Sequence, residues 1–259
     1  MFSPSLFTSV IDAYLPEPQA SLLNGIIFGV KLKTSGVFYQ QIKIVGLLHL
    51  VVLSGINISM LAAIIGSITR FFGKLISILI TILTVIIFIA FVGAQAPIIR
   101  AGFMGLLTLV GIISQRKTYP LFILLLSLFF IFIVWPQWFK SISLYLSYAA
   151  TLGILLFGQT RSKNEIWKEL KISLSAQLFT TPIIFVYFKQ VSLIAPLSNL
   201  LVAPLIPPLM IFGFLTAILG KFNYLLGIIP ASICYGLLSY LVWVIETLSK
   251  LPLAFYQFK

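Results

Sequence analysis

Acidic residues are scarce in this chain of 259 residues. Five Asp and Glu stand against seventeen Lys and Arg, and charged residues of both signs reach only 8%. A soluble domain carries about 25% charged residues, so this chain lacks the charge to cover a water-facing surface. Cysteine occurs once, at Cys234, which excludes an internal disulfide and a thiolate metal cluster. Histidine occurs once, at His49, which excludes a paired-histidine zinc motif. No Walker-type glycine loop is present, so the chain does not drive itself with ATP. Of the five acids only Glu246 falls inside a long apolar run, near its end where it can snorkel. No acid/base pair is evident, and we expect neither an enzyme nor a cofactor. The N-terminus, MFSPSLFTSVIDAYLPEPQ, has no basic region ahead of a long apolar one, and no cleavable signal is expected there.

What remains is 60% hydrophobic, with a mean hydropathy of +1.14. This composition implies an integral membrane protein of the all-α class, a polytopic helical bundle of about seven to eight transmembrane or re-entrant helices, several of them broken. Residues 1–43 alternate short apolar and polar runs and are expected to form short amphipathic helices lying on the membrane surface. Gly25 and Gly29 form a GxxxG there, in an apolar run too short for a dimerisation span. Residues 44–259 are expected to form the transmembrane domain. Eight candidate crossings cover 44–69, 75–94, 97–114, 119–135, 143–159, 172–188, 193–219 and 222–249. If all eight cross, loops after the odd-numbered ones hold Arg70, Lys74, Arg116, Lys117, Arg161, Lys163, Lys168, Lys171 and Lys221. Loops after the even-numbered ones hold Arg100, Lys140 and Lys189. This asymmetry puts loops 70–74, 115–118, 160–171 and 220–224 in the cytoplasm.

Three stretches hold residues that a lipid-facing helix would not choose. In GLLHLVVLSGINISMLAAIIG, Ser54 and Gly55 form an expected break, with His49 before it and Asn57 after it. His49 and Asn57 either bond to neighbouring helices or line a polar path. In GAQAPIIRAGFMG, Gln95 sits in a turn and Pro97 opens the next helix, with Arg100 one turn in. Arg100 either snorkels or faces inward and offers its fork to an anion. In SLSAQLFTTPIIF, Gln177 and Thr181 share a face ahead of Pro182, which is expected to break or bend its helix. Beyond it come Pro196, Asn199, Pro204, Pro207 and Pro208. Broken helices at membrane depth are tolerated where the backbone is buried or lines a cavity, and transporters use them to aim backbone groups at a substrate.

These motifs resemble those of the ComEC/Rec2 competence proteins. GLLHLVVLSGINISMLAAIIG is similar to the family's LLHLLAVSGLHIGLL signature, with Asn57 where the family has a second histidine. APIIRAGFMGLL, ISLYLSYAATLGILLFG and SLSAQLFTTPIIFVYFKQVSLIAPLSNLLVAPLIPPLM resemble three further segments in the family's order. In the second of these, Leu144-Tyr145 and Tyr148 replace residues of the family's FQLSF. The resemblance covers roughly residues 20–215 and implies a bacterial inner-membrane channel passing single-stranded DNA inward during natural transformation. It implies the competence domain alone, without the family's OB-like and nuclease-like domains. Candidate residues along the DNA path are His49, Ser54, Asn57, Gln95, Arg100, Gln177 and Asn199. Candidate helix breaks are Gly55, Pro97, Pro182, Pro204, Pro207 and Pro208, and Lys31, Lys33 and Lys43 are candidates for capturing the strand. The implied partners are single-stranded DNA, membrane lipid, a cytoplasmic ATP-dependent motor and the DNA-delivery proteins of the competence machinery. Two rivals share the same features: a secondary transporter for a small anion, and a scaffold whose polar residues only join helices.

Overall fold

A computed structural model describes residues 4–51, 54–160, 162, 164–251 and 255–257. It is almost entirely helical, as the composition requires. Short helices come first: α1 (Ser5–Tyr14), α2 (Gln19–Phe28), α3 (Gly36–Ile44) and α4 (Leu48–Val51). α2 ends at Gly29, whose φ of 66° supplies the left-handed turn that a side chain would resist. α3 starts at Ser35, whose hydroxyl accepts the Phe38 N–H at 3.2 Å.

The middle of the chain forms α5 (Gly55–Thr69), α6 (Lys74–Val92), α7 (Ala96–Ile113), α8 (Pro120–Val134) and α9 (Ile142–Gly153). α9 runs into a π-helical turn at Ile154–Gly158. Then come α10 (Glu165–Phe188), α11 (Ala195–Val202), α12 (Ile206–Phe222) and α13 (Tyr224–Leu248). Asn164 and Asn223 cap α10 and α13, their side-chain oxygens accepting the N–H groups of Ile166 at 3.0 Å and Leu225 at 2.8 Å. Two short strands, β1 (Gln190–Ser192) and β2 (Phe255–Gln257), pair antiparallel with Val191 opposite Tyr256.

Among the described residues, five helical segments are long and apolar enough to cross a membrane: Lys74–Val92, Ala96–Ile113, Ile166–Phe188, Ala195–Phe222 and Tyr224–Leu248. Of the eight expected crossings, three correspond to apolar helices of no more than 17 residues: Asn57–Phe72, Pro120–Val134 and Ile142–Gly158. At 1.5 Å per residue, the 15 residues of α8 fall short of a hydrocarbon core of about 30 Å. The chain is a multi-pass membrane protein, with full spans interleaved with shorter apolar helices. Its outward faces carry exposed Leu79, Leu83, Phe122, Phe129, Ile133 and Trp243, which suits lipid and not water.

The chain divides into two compact units. The first comprises residues 1–53, 162–174 and 184–259, and the second 54–161 and 175–183. In the first, α12 packs on α13, and α1 and α2 pack on both. Here one expectation fails. α2 does not lie on a surface, because every residue from Ala20 to Phe28 is buried. Its sequence, QASLLNGIIF, carries no charge and is mostly apolar, so it is covered by helices rather than laid at a boundary between oil and water. In the second unit α5, α6 and α7 pack on one another, and α7 also packs on α8 and α9. Ala96, Ile131 and Leu144 form a buried cluster there, with Ile99, Phe130 and Tyr148 against it.

The proline expectations divide. Pro97 sits in the first turn of α7, and Pro207 and Pro208 in the first turn of α12. Pro204 lies in the single 3-10 turn Ala203–Leu205 that separates α11 from α12. Pro182 does not end its helix, and α10 runs through it for 24 residues. A helix in lipid keeps its other backbone bonds because nothing else can satisfy them. Thr180 also ties this turn down, its hydroxyl lying 3.0 Å from the Ala176 carbonyl and 3.4 Å from that of Gln177. Pro230 lies inside α13 in the same way.

Candidate anion site around Arg100

The break before α5 sets up the site. Ser54 is extended, with φ of −122° and ψ of 173°, and α5 begins at Gly55. The Ser54 carbonyl accepts the Asn57 N–H at 3.2 Å, and the Ser54 hydroxyl lies 3.4 Å from the Asn57 side-chain oxygen. Asn57 is wholly buried. Gly55 is buried as well, and the reason for a glycine there lies on α7. A Cβ at this position would sit 2.6 Å from Nη2 of Arg100 and 3.4 Å from the Pro97 carbonyl oxygen. The missing side chain leaves room for the guanidinium.

Arg100 is only 9% exposed. It faces inward and does not snorkel. Its Nη1 donates to the Thr151 hydroxyl and approaches Met104 Sδ at 3.8 Å. The Thr151 hydroxyl in turn donates to the Ser147 carbonyl at 2.9 Å, so a lone pair is left to face the arginine. Arg100 Nε is buried and has no hydrogen-bond partner among the described residues. No carboxylate compensates this charge locally: residues 54–161 and 175–183 contain no Asp or Glu at all. A buried cation without a counter-ion carries a large desolvation cost, and its unused donor is directed at nothing the unit itself supplies.

α9 completes the surroundings. Tyr148, one turn before Thr151, places its hydroxyl 2.8 Å from that of Ser127 on α8. Ser127 donates to the Leu124 carbonyl at 2.7 Å, so the tyrosine is the donor to Ser127. Beyond Thr151, Gly153 allows close approach to α10, since a Cβ there would clash with the Ser175 carbonyl oxygen. The π-helical turn follows directly, and such turns recur at functional sites.

The residues expected along a path are divided between the two units. Ser54, Asn57, Gln95, Arg100 and Gln177 belong to the second unit, and Gly55 joins the Ser54–Asn57 stretch to Arg100. Gln95 is exposed at the start of α7, where its carbonyl accepts the Ile99 N–H at 2.9 Å. Gln177 is half-buried on α10. His49 and Asn199 belong to the first unit, with His49 exposed on α4. The Asn199 amide donates to the Ser173 hydroxyl at 3.0 Å. Lys31 and Lys33 are exposed beside Asp12 and Glu17, so they are not a bare basic patch, and Lys43 is half-buried at the end of α3. Sequence reasoning missed Thr151 and Ser127. The one available signal was the spacing of Ser147, Tyr148 and Thr151 on an otherwise apolar helix.

Residues 26–259 match the profile of the family described as competence protein. An uncharacterised protein of Aquifex aeolicus (strain VF5) is 31% identical over 176 residues, covering 66% of this chain and 41% of the relative. ComE operon protein 3 of Bacillus subtilis (strain 168) is 24% identical over 204 residues, covering 76% of this chain and 26% of that protein. The chain thus spans less than half the length of either relative. No solved structure gives a significant match.

Proposed function

Because the chain belongs to the competence protein family, we propose that it serves DNA uptake as a channel in the bacterial inner membrane, passing single-stranded DNA into the cytoplasm. The observation that carries this reading is Arg100, buried, unpaired at Nε and set in a unit that contains no carboxylate. A guanidinium presents planar donors that suit a phosphate. Its attraction to the DNA backbone ignores base sequence, as a conduit for any strand requires. The acid-free unit supplies no competing anion of its own. In this reading the chain performs no chemistry, and force comes from a separate cytoplasmic ATP-dependent motor, supplied with DNA by other competence proteins. The loops 70–74, 115–118, 160–171 and 220–224 face the cytoplasm.

The test is transformation of the native host carrying Arg100→Gln or Arg100→Lys at unchanged protein level. We expect Gln to lower transformation at least tenfold for every donor sequence, and Lys to retain part of it. Normal transformation by Arg100→Gln overturns the role of this residue. Uptake of a small anion that depends on Arg100, without any effect on DNA, would favour the permease.

A further inference from the structure

A second polar recess lies in the first unit and owes nothing to the Arg100 site. It is bounded by α1, the start of α2 and the extended segment after Gly29, and its polar lining is Thr8, Asp12, Glu17, Ser21, Asn24, Lys31 and Lys33. Asn24 is the residue out of place. It is only 5% exposed, on a helix buried on all sides. Its Nδ2 donates to Asp12 Oδ1 at 2.7 Å. A carboxylate only accepts, so this bond fixes which way the amide points. The other end, Oδ1, is buried and has no partner among the described residues. A buried carbonyl oxygen left unpaired is costly and calls for a donor. Ser21 Oγ accepts the Lys33 backbone N–H at 2.6 Å, which anchors the segment carrying both lysines.

The lining carries both signs. The Asn24 carbonyl lies buried, and the carboxylates of Asp12 and Glu17, all acceptors, stand exposed like the ammonium groups of Lys31 and Lys33. Desolvation, and then the nearby Asp12 charge, hold the Glu17 carboxyl above its ordinary value, against the pull of the Ser21 amide and Lys33. A cation placed between these carboxylates relieves that repulsion. A bare divalent metal fits poorly, because calcium takes six to eight oxygen ligands and the two lysines repel it. A bare anion meets the carboxylates. A zwitterion satisfies both signs.

We propose that this recess binds a phosphoethanolamine headgroup, with the primary ammonium donating to Asn24 Oδ1, Asp12 and Glu17 and the phosphate held by Lys31 and Lys33. A primary ammonium has three N–H donors for three acceptors. The source is the bilayer in which the protein sits, so the ligand is phosphatidylethanolamine.

The experiment uses the purified chain in detergent, titrated with short-chain phosphatidylethanolamine, phosphatidylcholine, phosphatidylglycerol, glycerophosphoethanolamine and calcium alone, with binding read by native mass spectrometry. Phosphatidylethanolamine should bind at least tenfold more tightly than phosphatidylcholine, whose quaternary ammonium has no N–H, and than phosphatidylglycerol, which has no ammonium. The double variant Lys31→Gln, Lys33→Gln changes only exposed side chains and should weaken this binding while leaving thermal unfolding in place. Asp12→Asn should weaken it too. Binding of glycerophosphoethanolamine as tight as that of the lipid supports the headgroup site but moves its source to water. Equal binding of the ethanolamine and choline lipids overturns the proposal. So does calcium binding without lipid selectivity, or no binding at all.

Discussion

A methyl group on Gly55 would lie 2.6 Å from Nη2 of Arg100 and 2.9 Å from Cβ of Ala101. The start of α5 and the first turns of α7 therefore meet through a gap that only glycine leaves open. Gly55→Ala must push the guanidinium aside or spread the two helices, at a cost of about 1–3 kcal/mol for overpacking. We expect thermal unfolding in detergent to shift down and DNA uptake to fall as it does for Arg100→Gln. Gly105→Ala, at an α7 position with nothing within 4 Å of a new Cβ, is the control. It should leave uptake unchanged and raise stability by roughly 0.5–1 kcal/mol through helix propensity.

Arg100→Leu separates function from folding. Replacing a buried, uncompensated charge by an apolar side chain is often neutral or stabilising by about 1–4 kcal/mol. The variant should unfold at or above the temperature of the parent protein and fail in transformation. A large loss of stability would show that the bond from Arg100 to Thr151 is structural cement.

Ser127 and Tyr148 form a chain of hydroxyls that ends on the Leu124 carbonyl. Ser127→Ala strands the Tyr148 hydroxyl and should cost about 1 kcal/mol. Adding Tyr148→Phe removes the stranded group, so the double variant should be less unstable than the sum of the two single ones. Additive losses in a double-mutant cycle would show that the pair is uncoupled.

Gly153 faces backbone, not a movable side chain, because its new Cβ would collide with the Ser175 carbonyl oxygen. Gly153→Ala should destabilise by at least the 1–3 kcal/mol expected of overpacking, and more than Gly55→Ala does. Equal losses at the two positions would show that α9 can slide away from α10.

Sidedness is tested at Ser162, between Arg161 and Lys163. In a chain carrying Cys234→Ala, Ser162→Cys should resist a membrane-impermeant thiol reagent added to intact cells and react after permeabilisation. Rapid labelling in intact cells would turn the proposed topology over.

Much of the fold was legible because composition and length act along the chain. Long apolar runs gave the full spans, and Pro97 and Pro207–Pro208 marked helix starts that only first turns tolerate. Contacts distant in sequence were not legible. Gly55 read as a weak point in a helix, and Arg100 as either a snorkelling anchor or an inward charge. That each explains the other requires α5 packed on α7. Thr151 looked like an ordinary helical threonine until Arg100 came beside it. Pro182 was expected to break or bend its helix, and α10 continues through it, since in lipid the neighbouring backbone bonds outweigh one missing donor. α2 misled through its length, since ten residues are too few to span and its burial comes from helices far along the chain.

The absence of acids from residues 54–161 and 175–183 extends to titration. Asp, Glu and His are the side chains whose ordinary protonation changes fall between about pH 4 and 7. This unit holds none of them, and no cysteine either, since His49 and Cys234 both belong to the other unit. Its described cations, Arg70, Lys74, Arg100, Arg116, Lys117 and Lys140, share this unit with no acidic group that could take up a proton as the medium acidifies. The unit behaves as a body of fixed charge. On the proposed reading, any acid sensitivity of uptake arises outside this unit.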